Sequence, residues 1–282
     1  MEFKNTEVFN FEGALRGMRN PLNSWAKSDS IFDIYCEHED YGSECIDTVA
    51  NKWAEYLLKD EVYEEEKDYD NEFAKIAEER REWLWRQGVS FIGTDHHYKL
   101  DLIGPNDMDL CRRLINGGSE HRKFLRQIMV SVDITAPLYW WKEFDTYKVG
   151  TTANSTSTMH KLASTPITLE CFEIDDYDDS ITYQYPDIEG STLDMPIGAF
   201  VEDLIHDLEE LRQKYNETKD KRYWKELIRW LPNGWLQTRT VTMNYENLRS
   251  MYHQREYHKL SEWHSFCDWV KTLPYAQELI IG

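Results

Sequence analysis

The stretch RQIMVSVDITAP, residues 126–137, alternates apolar and polar side chains. Its apolar side chains at every second position are Ile128, Val130, Val132 and Ile134. A period of two places them on one face of an extended chain, which predicts a half-buried β-strand that ends at Pro137. Patterns with the helical period lie on both sides of this strand, so the sequence predicts a helix-rich α+β fold.

Helices are predicted before and after this strand. The upstream helix carries Leu110, Cys111, Leu114 and Ile115 on one side. Asn106 or Asp107 is expected to cap this helix, and Gly117-Gly118 to end it. The downstream segments are a β-leaning acidic insertion (169–190), two helices (200–211 and 219–230), a strand (235–244) and two last helices (around 248–252 and 260–270).

The first 90 residues differ in composition from the rest. They hold a polar cluster around Pro21, then helical sequence in which residues 60–82 are strongly acidic and Gly88 is expected to end the helix. We interpret the acidic stretch as a solvated helix face. The sequence therefore predicts an N-terminal arm with an acidic helical elaboration over 1–90, followed by the main domain over 91–282.

Composition and charge exclude several classes of protein. The 282 residues carry a formal net charge of −20, and 14% of them are aromatic. The aromatic content predicts a folded core rather than a disordered polymer, and the negative charge disfavours a nucleic-acid polymer as partner. The sequence shows neither a signal peptide nor an apolar run of membrane-spanning length, so no membrane is expected. Five cysteines without metal-like spacing predict free thiols and a cytoplasmic protein.

Common catalytic motifs are missing from the sequence. It contains no P-loop, GxGxxG, HExxH or GxSxG pattern. His96-His97 beside Asp95 suggests a metal site, but adjacent side chains point apart in regular structure, which favours a loop histidine pair without ligand duty. We therefore expect no metal site.

A long polar run follows the predicted strand. In YWWKEFDTYKVGTTANSTSTMHK, residues 139–161, an aromatic block is followed by hydroxyl and amide side chains. Lys142, Lys148 and Lys161 bracket these groups, a composition that recurs where proteins bind phosphate. A polar loop without such a duty is the alternative. Trp140 and Trp141 are expected in the core rather than as a stacking platform for a base.

The order of several separated segments resembles the flavin-dependent thymidylate synthase family. The matching segments are His121, Ala136-Pro137, Thr146 to Lys148, Arg229 with Leu231-Pro232, and Asn244 with Leu248 and Arg255. They span roughly residues 100 to 265. The resemblance implies that family's fold, with a central, mainly antiparallel sheet, and a homotetramer whose sites form at subunit junctions. The altered signature described next is also compatible with a viral or mobile-element relative.

The family's signature, Arg-His-Arg-x-x-Ser-x-Asn-x-x-Ser-x-Arg, is altered in this chain. Its first three positions hold Thr146, Tyr147 and Lys148, so a hydroxyl and an ammonium stand where the family has guanidiniums, and a phenol stands where it has an imidazole. The resemblance implies a cofactor-binding set of His121, Thr146, Tyr147, Lys148, Thr151, Asn154 and Asn244. It implies a substrate-binding set of Thr156, Ser157, Thr158 and Arg255.

Two arginines outside the resemblance extend the substrate-binding set. Arg16 and Arg19 lie in the polar cluster RGMRNPLNSWAKSDS, residues 16–30. One hypothesis is that they replace the missing guanidiniums of the signature. The alternative is a structured arm whose arginines pair with acidic neighbours.

Two functions follow from the resemblance. The first is an enzyme that transfers a one-carbon unit to C5 of dUMP or a related pyrimidine nucleotide, with FAD as hydride carrier, NADPH as reductant and methylenetetrahydrofolate as carbon donor. The second is a protein that binds or sequesters a nucleotide-type phosphate ligand without flavin chemistry. In both cases the expected partner is a small nucleotide.

Overall fold

The structure is a computed structural model that describes residues 1–36, 43–59, 61, 66–86, 98–186 and 190–282. It divides into two compact units: the sheet unit, Met1–Phe9 with Ile128–Gly282, and the helical unit, Asn10–Gln127. The first strand, β1 (Glu2–Phe9), belongs to the sheet unit because it pairs with a strand that starts at Met129. The sequence suggests a boundary near residue 90, whereas the structure divides the chain after residues 9 and 127.

The helical unit consists of helices with one small antiparallel sheet. Its elements are α1 (Phe11–Arg19), β2 (Ile31–Cys36), α2 (Ser43–Leu58), α3 (Glu66–Arg86), β3 (Tyr98–Leu102) and α4 (Pro105–Asn116), and β2 pairs with β3. Helices α2 and α3 confirm that the sequence after the polar cluster is helical. Gly88, Asp95 and His96-His97 lie outside the described residues. At the two ends of the unit, the side-chain amide of Asn10 donates to the carbonyl of Gln127 over 2.9 Å.

Helix α4 confirms a predicted helix but corrects its cap. Asn106 or Asp107 was expected to cap α4, yet the helix begins at Pro105 and Gly104 takes the N-cap position without a side-chain hydrogen bond. The carboxylate of Asp29 accepts from the backbone N–H of Asn106 (3.1 Å) and of Asp107 (3.2 Å) instead. A residue remote in sequence thus satisfies the free amides of the first turn, and Asp107 is fully buried.

The sheet unit continues after Gln127. Its elements are β4 (Met129–Pro137), α5 (Leu138–Phe144), β5 (Thr152–Ser155), α6 (Thr158–Lys161), β6 (Thr182–Pro186), β7 (Thr192–Pro196), α7 (Ile197–Thr218), α8 (Lys221–Trp230), β8 (Leu236–Asn244), α9 (Tyr245–Arg255) and α10 (Ser261–Lys271). The main sheet has the strand order β1-β4-β8-β5, and each neighbouring pair is antiparallel. The predicted helix-rich α+β class with a central antiparallel sheet is confirmed.

The alternating side chains of strand β4 give the main sheet one apolar face. Val130, Val132 and Ile134 are fully buried, and the first two lie opposite Met243 and Val241 of β8. Burying each such side chain contributes about 1.5–3 kcal/mol. A slip of one residue would turn Ser131 and its polar neighbours toward the core, so the alternation fixes the register.

A second apolar cluster packs beneath helices α7 and α8. It consists of Leu162, Ile167, Phe172, Leu208 and Leu227. The acidic insertion predicted to favour β structure contains β6 and β7, which form an antiparallel hairpin. In the part of the chain that the structure describes, no helix is long and apolar enough to cross a bilayer.

Glu209 connects α7 to the segment before it. Its carboxylate accepts from Arg212 Nε over 2.7 Å, from Gln213 Nε2 over 3.0 Å and from the backbone N–H of Ile167 over 2.8 Å. These donors, above all the Arg212 guanidinium, lower the pKa of Glu209 from 4.5 to about 2. Because the folded-state pKa lies below the unfolded one, this stabilisation is complete above pH 4.5 and is lost as the pH falls through about 2.

Replacing Glu209 by glutamine is therefore expected to lower the free energy of unfolding by about 1–2 kcal/mol at neutral pH. The deficit relative to wild type should shrink as the pH falls toward the folded-state pKa. Urea denaturation followed by circular dichroism across that pH range measures it. Glu210→Gln is the matched control, since Glu210 is exposed. A deficit that stayed constant with pH would contradict the assignment.

Candidate functional site

Part of the predicted polar loop is a strand. Residues 152–155 form β5, whose Thr152 lies opposite Thr242 and whose Ser155 lies opposite Arg239 of β8. The expectation of a loop over this stretch was wrong because the free edge of β8 offers hydrogen-bond partners and the β-branched Thr152 suits an extended chain. The remaining loop, residues 145–151, joins α5 to β5, and we call it the α5–β5 loop.

Tyr147 and Arg255, two predicted site residues distant in sequence, lie in direct contact. The Nε of Arg255 donates to the hydroxyl of Tyr147 over 2.8 Å, and this hydroxyl donates to Gln254 over 3.1 Å. The guanidinium carbon of Arg255 lies 5.5 Å from the centre of the Tyr147 ring and 4.7 Å from that of Trp263. The end of helix α9 therefore holds the α5–β5 loop through an arginine that lies over two neighbouring aromatic rings.

Glu143 provides the negative charge beside Arg255. Its Oε2 lies 3.1 Å from Arg255 Nη1 and 3.5 Å from His258 Nε2, and it accepts from the indole N–H of Trp263 over 2.9 Å. The Arg255 side chain is 19% exposed. Its Nη2 has no hydrogen-bond partner within the described residues, so one edge of the guanidinium can still donate.

The start of helix α9 binds the other end of the loop. Asn244 caps α9 in a reciprocal arrangement, because its side chain accepts from the N–H of Asn247 (2.9 Å) and the Asn247 side chain accepts from the N–H of Asn244 (3.3 Å). Asn247 also donates to the carbonyl of Val149 over 2.7 Å. Gly150 has a φ of 82°, and a Cβ there would come within 2.8 Å of Asn247 Oδ1. Glycine is therefore required where the loop passes α9.

The predicted hydroxyl groups of the loop are partly engaged inside the chain. Thr146 Oγ1 donates to the carbonyl of Glu143 over 2.7 Å, and Thr151 Oγ1 donates to the carbonyl of Tyr147 over 2.6 Å. Both hydroxyls fix the loop and retain lone pairs as acceptors. Lys148 differs from them, since its side chain is exposed and makes no hydrogen bond or ion pair within the described residues.

The remaining predicted residues of the run continue along the strand. Asn154 is exposed on β5 opposite Thr240. Thr156 extends the pairing, since its N–H donates to the carbonyl of Thr238 over 2.9 Å. Ser157 is half-buried. Thr158 begins the short helix α6, and its side chain lies outside the described part of the chain.

Arg239 is a further candidate residue that the sequence did not single out. It donates to Asp145 over 2.7 Å and to the side chain of Gln237 over 3.0 Å, and its guanidinium carbon lies 4.2 Å from the centre of the Trp141 ring. A second guanidinium thus holds the beginning of the α5–β5 loop. The signal was present in the sequence, because the alternation of β8 places Arg239 on the same face as Val241 and Met243.

Three predicted residues belong to the helical unit. His121 is exposed after the turn that ends α4. Arg16 is exposed and lies 3.5 Å from Glu12, whereas Arg19 is buried and donates to Asp107 over 2.5 Å. The Arg19 geometry favours the interpretation of an arm whose arginines pair with acidic neighbours. Site roles for His121, Arg16 and Arg19 stay predictions.

Two of the described thiols, Cys111 and Cys267, are poor candidates for nucleophiles. Burial raises the pKa of Cys267 to about 11 and raises that of Cys111 further, so both are protonated at neutral pH. Burial and a hydrogen bond to Glu262 also raise the pKa of the Tyr139 phenol. Among the described residues, no group of three potential metal ligands comes together. The surroundings of the α5–β5 loop therefore offer donors and positive charge rather than a nucleophile.

A cavity of about 740 Å³ lies elsewhere, in the helical unit along α2 and α3. Its lining is Leu57, Leu58, Glu61, Asp68, Asn71, Glu72, Lys75 and Ile76. None of these belongs to the predicted site, and the lining carries more acidic than basic side chains. An anionic nucleotide is poorly matched to this cavity.

Comparison with known proteins gives matches among solved structures alone. No family model and no curated protein matches the sequence. One similar structure is the flavin-dependent thymidylate synthase ThyX from Helicobacter pylori with FAD and dUMP, with a TM-score of 0.44 and 12% identity over 89% of this chain and 97% of that one. A second structure of ThyX from Helicobacter pylori with FAD and dUMP has a TM-score of 0.46 and 13% identity over 89% and 96%. Likenesses this distant carry no argument about the activity or ligands of this chain.

Proposed function

We propose that the chain is a protein of the flavin-dependent thymidylate synthase type that binds a pyrimidine nucleotide through its phosphate at the α5–β5 loop. The observation that carries the proposal is the concentration of positive charge at this loop. Arg239 holds it at Asp145 and Arg255 holds it at Tyr147. Lys148, the residue after Tyr147, is exposed and has no hydrogen bond or ion pair within the described residues. The chain as a whole has a net charge of −20, so a local cationic site stands out against it.

The groups around the loop suit a phosphate monoester. Lys148 supplies a point charge with three donors, and the free edge of Arg255 supplies directed N–H groups. The sequence resemblance supports the same place, since the loop occupies the position of the family's signature. Glu143 and Asp145 already neutralise part of the guanidinium charge, which predicts modest rather than tight binding.

Lys148 is the residue expected to contribute most to binding. Because a hydrogen bond to a charged group contributes about 1.5–3 kcal/mol, Lys148→Ala should weaken dUMP binding about 10-fold to 150-fold. Isothermal titration calorimetry measures the affinity, with deoxyuridine as the ligand that lacks the phosphate. Glu143→Gln should act in the opposite direction and tighten binding several-fold, because it removes the anion that competes for Arg255.

The matched control is Lys142→Ala. Lys142 is an exposed lysine on α5 that donates to Asn233 over 2.7 Å, so its removal should leave dUMP affinity unchanged. If Lys148→Ala binds dUMP like wild type, or if deoxyuridine binds as well as dUMP, the phosphate site is assigned to the wrong residues.

Two kinds of chemistry are compatible with such a site. One is one-carbon transfer to C5 of dUMP or a related nucleotide with FAD, NADPH and methylenetetrahydrofolate, in which bound FAD would supply the hydride. The predicted cofactor residues in or beside this loop are Thr146, Tyr147, Lys148, Thr151 and Asn244. The resemblance implies a chemistry that requires no nucleophile from the protein.

The other is nucleotide binding without flavin chemistry. The observation that favours it is the inward engagement of Thr146 and Tyr147, which occupy the first two signature positions and hydrogen-bond within the chain. Absorbance of the purified protein distinguishes the two. Flavin bands, or uptake of added FAD, would support the enzyme, whereas colourless protein that takes up no FAD would support binding alone.

A further inference from the structure

The hairpin of β6 and β7 has one apolar face that lies open to solvent. Tyr183 lies opposite Met195, and Tyr185 lies opposite Leu193. Directly opposed residues of an antiparallel pair share a face, and so do alternate residues of one strand. The four side chains therefore form a single face, on which Tyr185 is 51% and Leu193 is 49% exposed.

Helix α7 extends this face by one aromatic ring. Phe200, in the first turn of α7, is exposed, and its ring lies edge-on to that of Tyr183 with 6.5 Å between the centroids. The opposite face of the hairpin is polar, and there the side-chain amide of Gln184 donates to Asp194. We call the apolar face, Tyr183, Tyr185, Leu193 and Met195 with Phe200, the hairpin patch.

The hairpin exposes more of its surface than a stable two-stranded sheet should. Every residue of β6 and β7 apart from Met195 is exposed. An isolated two-stranded hairpin is at best marginally stable in water. Contiguous exposed apolar surface with a polar rim is typical of surfaces that contact another protein. The hairpin patch therefore has the character of a contact surface.

The sequence around the hairpin patch carries charge of one sign. Residues 162–205 contain no Lys, Arg or His. Exposed carboxylates precede β6 at Asp179 and follow β7 at Glu202 and Asp203, and these three make no ion pair within the described residues. The N–H of Gly198 donates to the carbonyl of Asp179 over 3.0 Å. This bond holds the acidic segment before β6 beside the acidic start of α7.

We propose that the hairpin patch binds a basic segment of a different protein, one that carries apolar side chains as well as Lys or Arg. The partner's apolar side chains cover the patch, and its cations pair with Asp179, Glu202 and Asp203. An arginine can also lie over an exposed tyrosine ring. Within the described strands nothing pairs with the outer edges of β6 and β7, so an extended segment can add there as a third strand.

Charge distinguishes this partner from other occupants. A second copy of the chain carries a net charge of −20, and nucleic acids and the cytoplasmic surface of membranes are anionic. The acidic rim of the hairpin patch repels all three. A basic polypeptide is attracted by the rim and also buries the apolar face. The proposal does not depend on the nucleotide proposed as ligand.

Synthetic peptides test both parts of this recognition. The probe is a short capped peptide in which arginine and leucine alternate, so that an extended conformation presents leucine on one face. One control peptide has glutamate in place of arginine, and the other has serine in place of leucine. Isothermal titration calorimetry should show that wild type binds the probe at least about 10-fold more tightly than either control. Added salt should weaken binding of the probe.

Variants of exposed residues assign the binding to the hairpin patch. Tyr185→Ser combined with Leu193→Ser should weaken binding of the probe about 10-fold or more, because it removes apolar surface from the contact. Amide hydrogen exchange should show protection along β6 and β7 when the probe is added to wild type. Tyr257→Ser is the matched control, since Tyr257 is an exposed aromatic residue outside the patch, and it should bind the probe like wild type.

A second pair of variants tests the acidic rim. Glu202→Gln combined with Asp203→Asn should weaken binding several-fold at low salt and have little effect at high salt. Glu217→Gln is the control, because Glu217 is exposed near the other end of α7. Circular dichroism verifies that all variants are folded.

Several outcomes would overturn the proposal. Wild type that binds the serine peptide as tightly as the probe would show charge attraction without a docking surface. Equal binding of the glutamate peptide would show that the partner is not basic, and no binding of the probe at millimolar concentration would show no such site. Patch variants that have a lower mass than wild type in sedimentation velocity would show that a second copy covers the patch. Calorimetry with dUMP on the same samples reports separately on the proposed ligand site.

Discussion

Replacement of Asp107 by alanine is expected to lower the free energy of unfolding of the helical unit by about 3–5 kcal/mol. Asp107 is fully buried and accepts from Arg19 over 2.5 Å, from Ser28 over 2.6 Å and from Ser30 over 2.5 Å. Alanine would leave the guanidinium of Arg19, itself 4% exposed, without its counter-charge. It would also leave two hydroxyl donors without their acceptor.

Urea denaturation measures this loss, and amide exchange along α4 shows whether it is confined to the helical unit. The matched control is the double variant Arg19→Met with Asp107→Leu, which removes both charges and should recover much of the stability. A single variant as stable as wild type would show that Arg19 is not held by Asp107. The site hypothesis for Arg19 would then become the stronger one.

Replacement of Trp140 by alanine is expected to destabilise the sheet unit by about 3–5 kcal/mol. Trp140 is fully buried. Its ring lies among Trp141, Phe144, Trp263 and Phe266, with centroid distances of 4.9, 5.1, 4.9 and 6.0 Å. Alanine would leave a large cavity where the aromatic side chains of α5 and α10 pack together.

Trp140→Phe is the matched control for this cavity. The indole N–H of Trp140 has no hydrogen-bond partner within the described residues, so phenylalanine removes an unsatisfied donor while keeping an aromatic ring. Trp140→Phe should lower the free energy of unfolding by less than about 1.5 kcal/mol. Thermal denaturation of both variants provides the comparison. An equal loss in both would mean that the N–H, rather than the volume, is what matters at this position.

Local patterns predicted most elements of the fold. The alternation in residues 128–134 predicted β4, and the helical spacing predicted α4 and α7. Strand β1 was missed because its residues are mostly exposed and polar, and its partner follows more than a hundred residues later in the chain. The cap of α4 was assigned wrongly for the same reason, since Asp29 reaches it through tertiary structure.

The contacts around the α5–β5 loop depend on tertiary structure. Tyr147 and Arg255, which belong to the two predicted site sets, lie in contact although they are far apart in sequence, and their site roles stay predictions. Residue types alone could not show that Glu143 would sit beside Arg255, because that contact depends on how α5 and α9 pack. Arg239 was recognisable from its place on the apolar face of β8.

The hydrogen bond from Asn10 to Gln127 has a consequence for the order of folding. During synthesis β1 emerges before the helical unit, whereas its partner β4 follows only after the whole unit. Closing so long a segment of unfolded chain costs conformational entropy. Once the helical unit has folded, its two ends meet at Asn10 and Gln127. Phe9 and its partner Met129 lie within two residues of these ends in the sequence, so little chain is left to close. A slow-folding helical unit would therefore delay assembly of the sheet, even for substitutions that touch no strand.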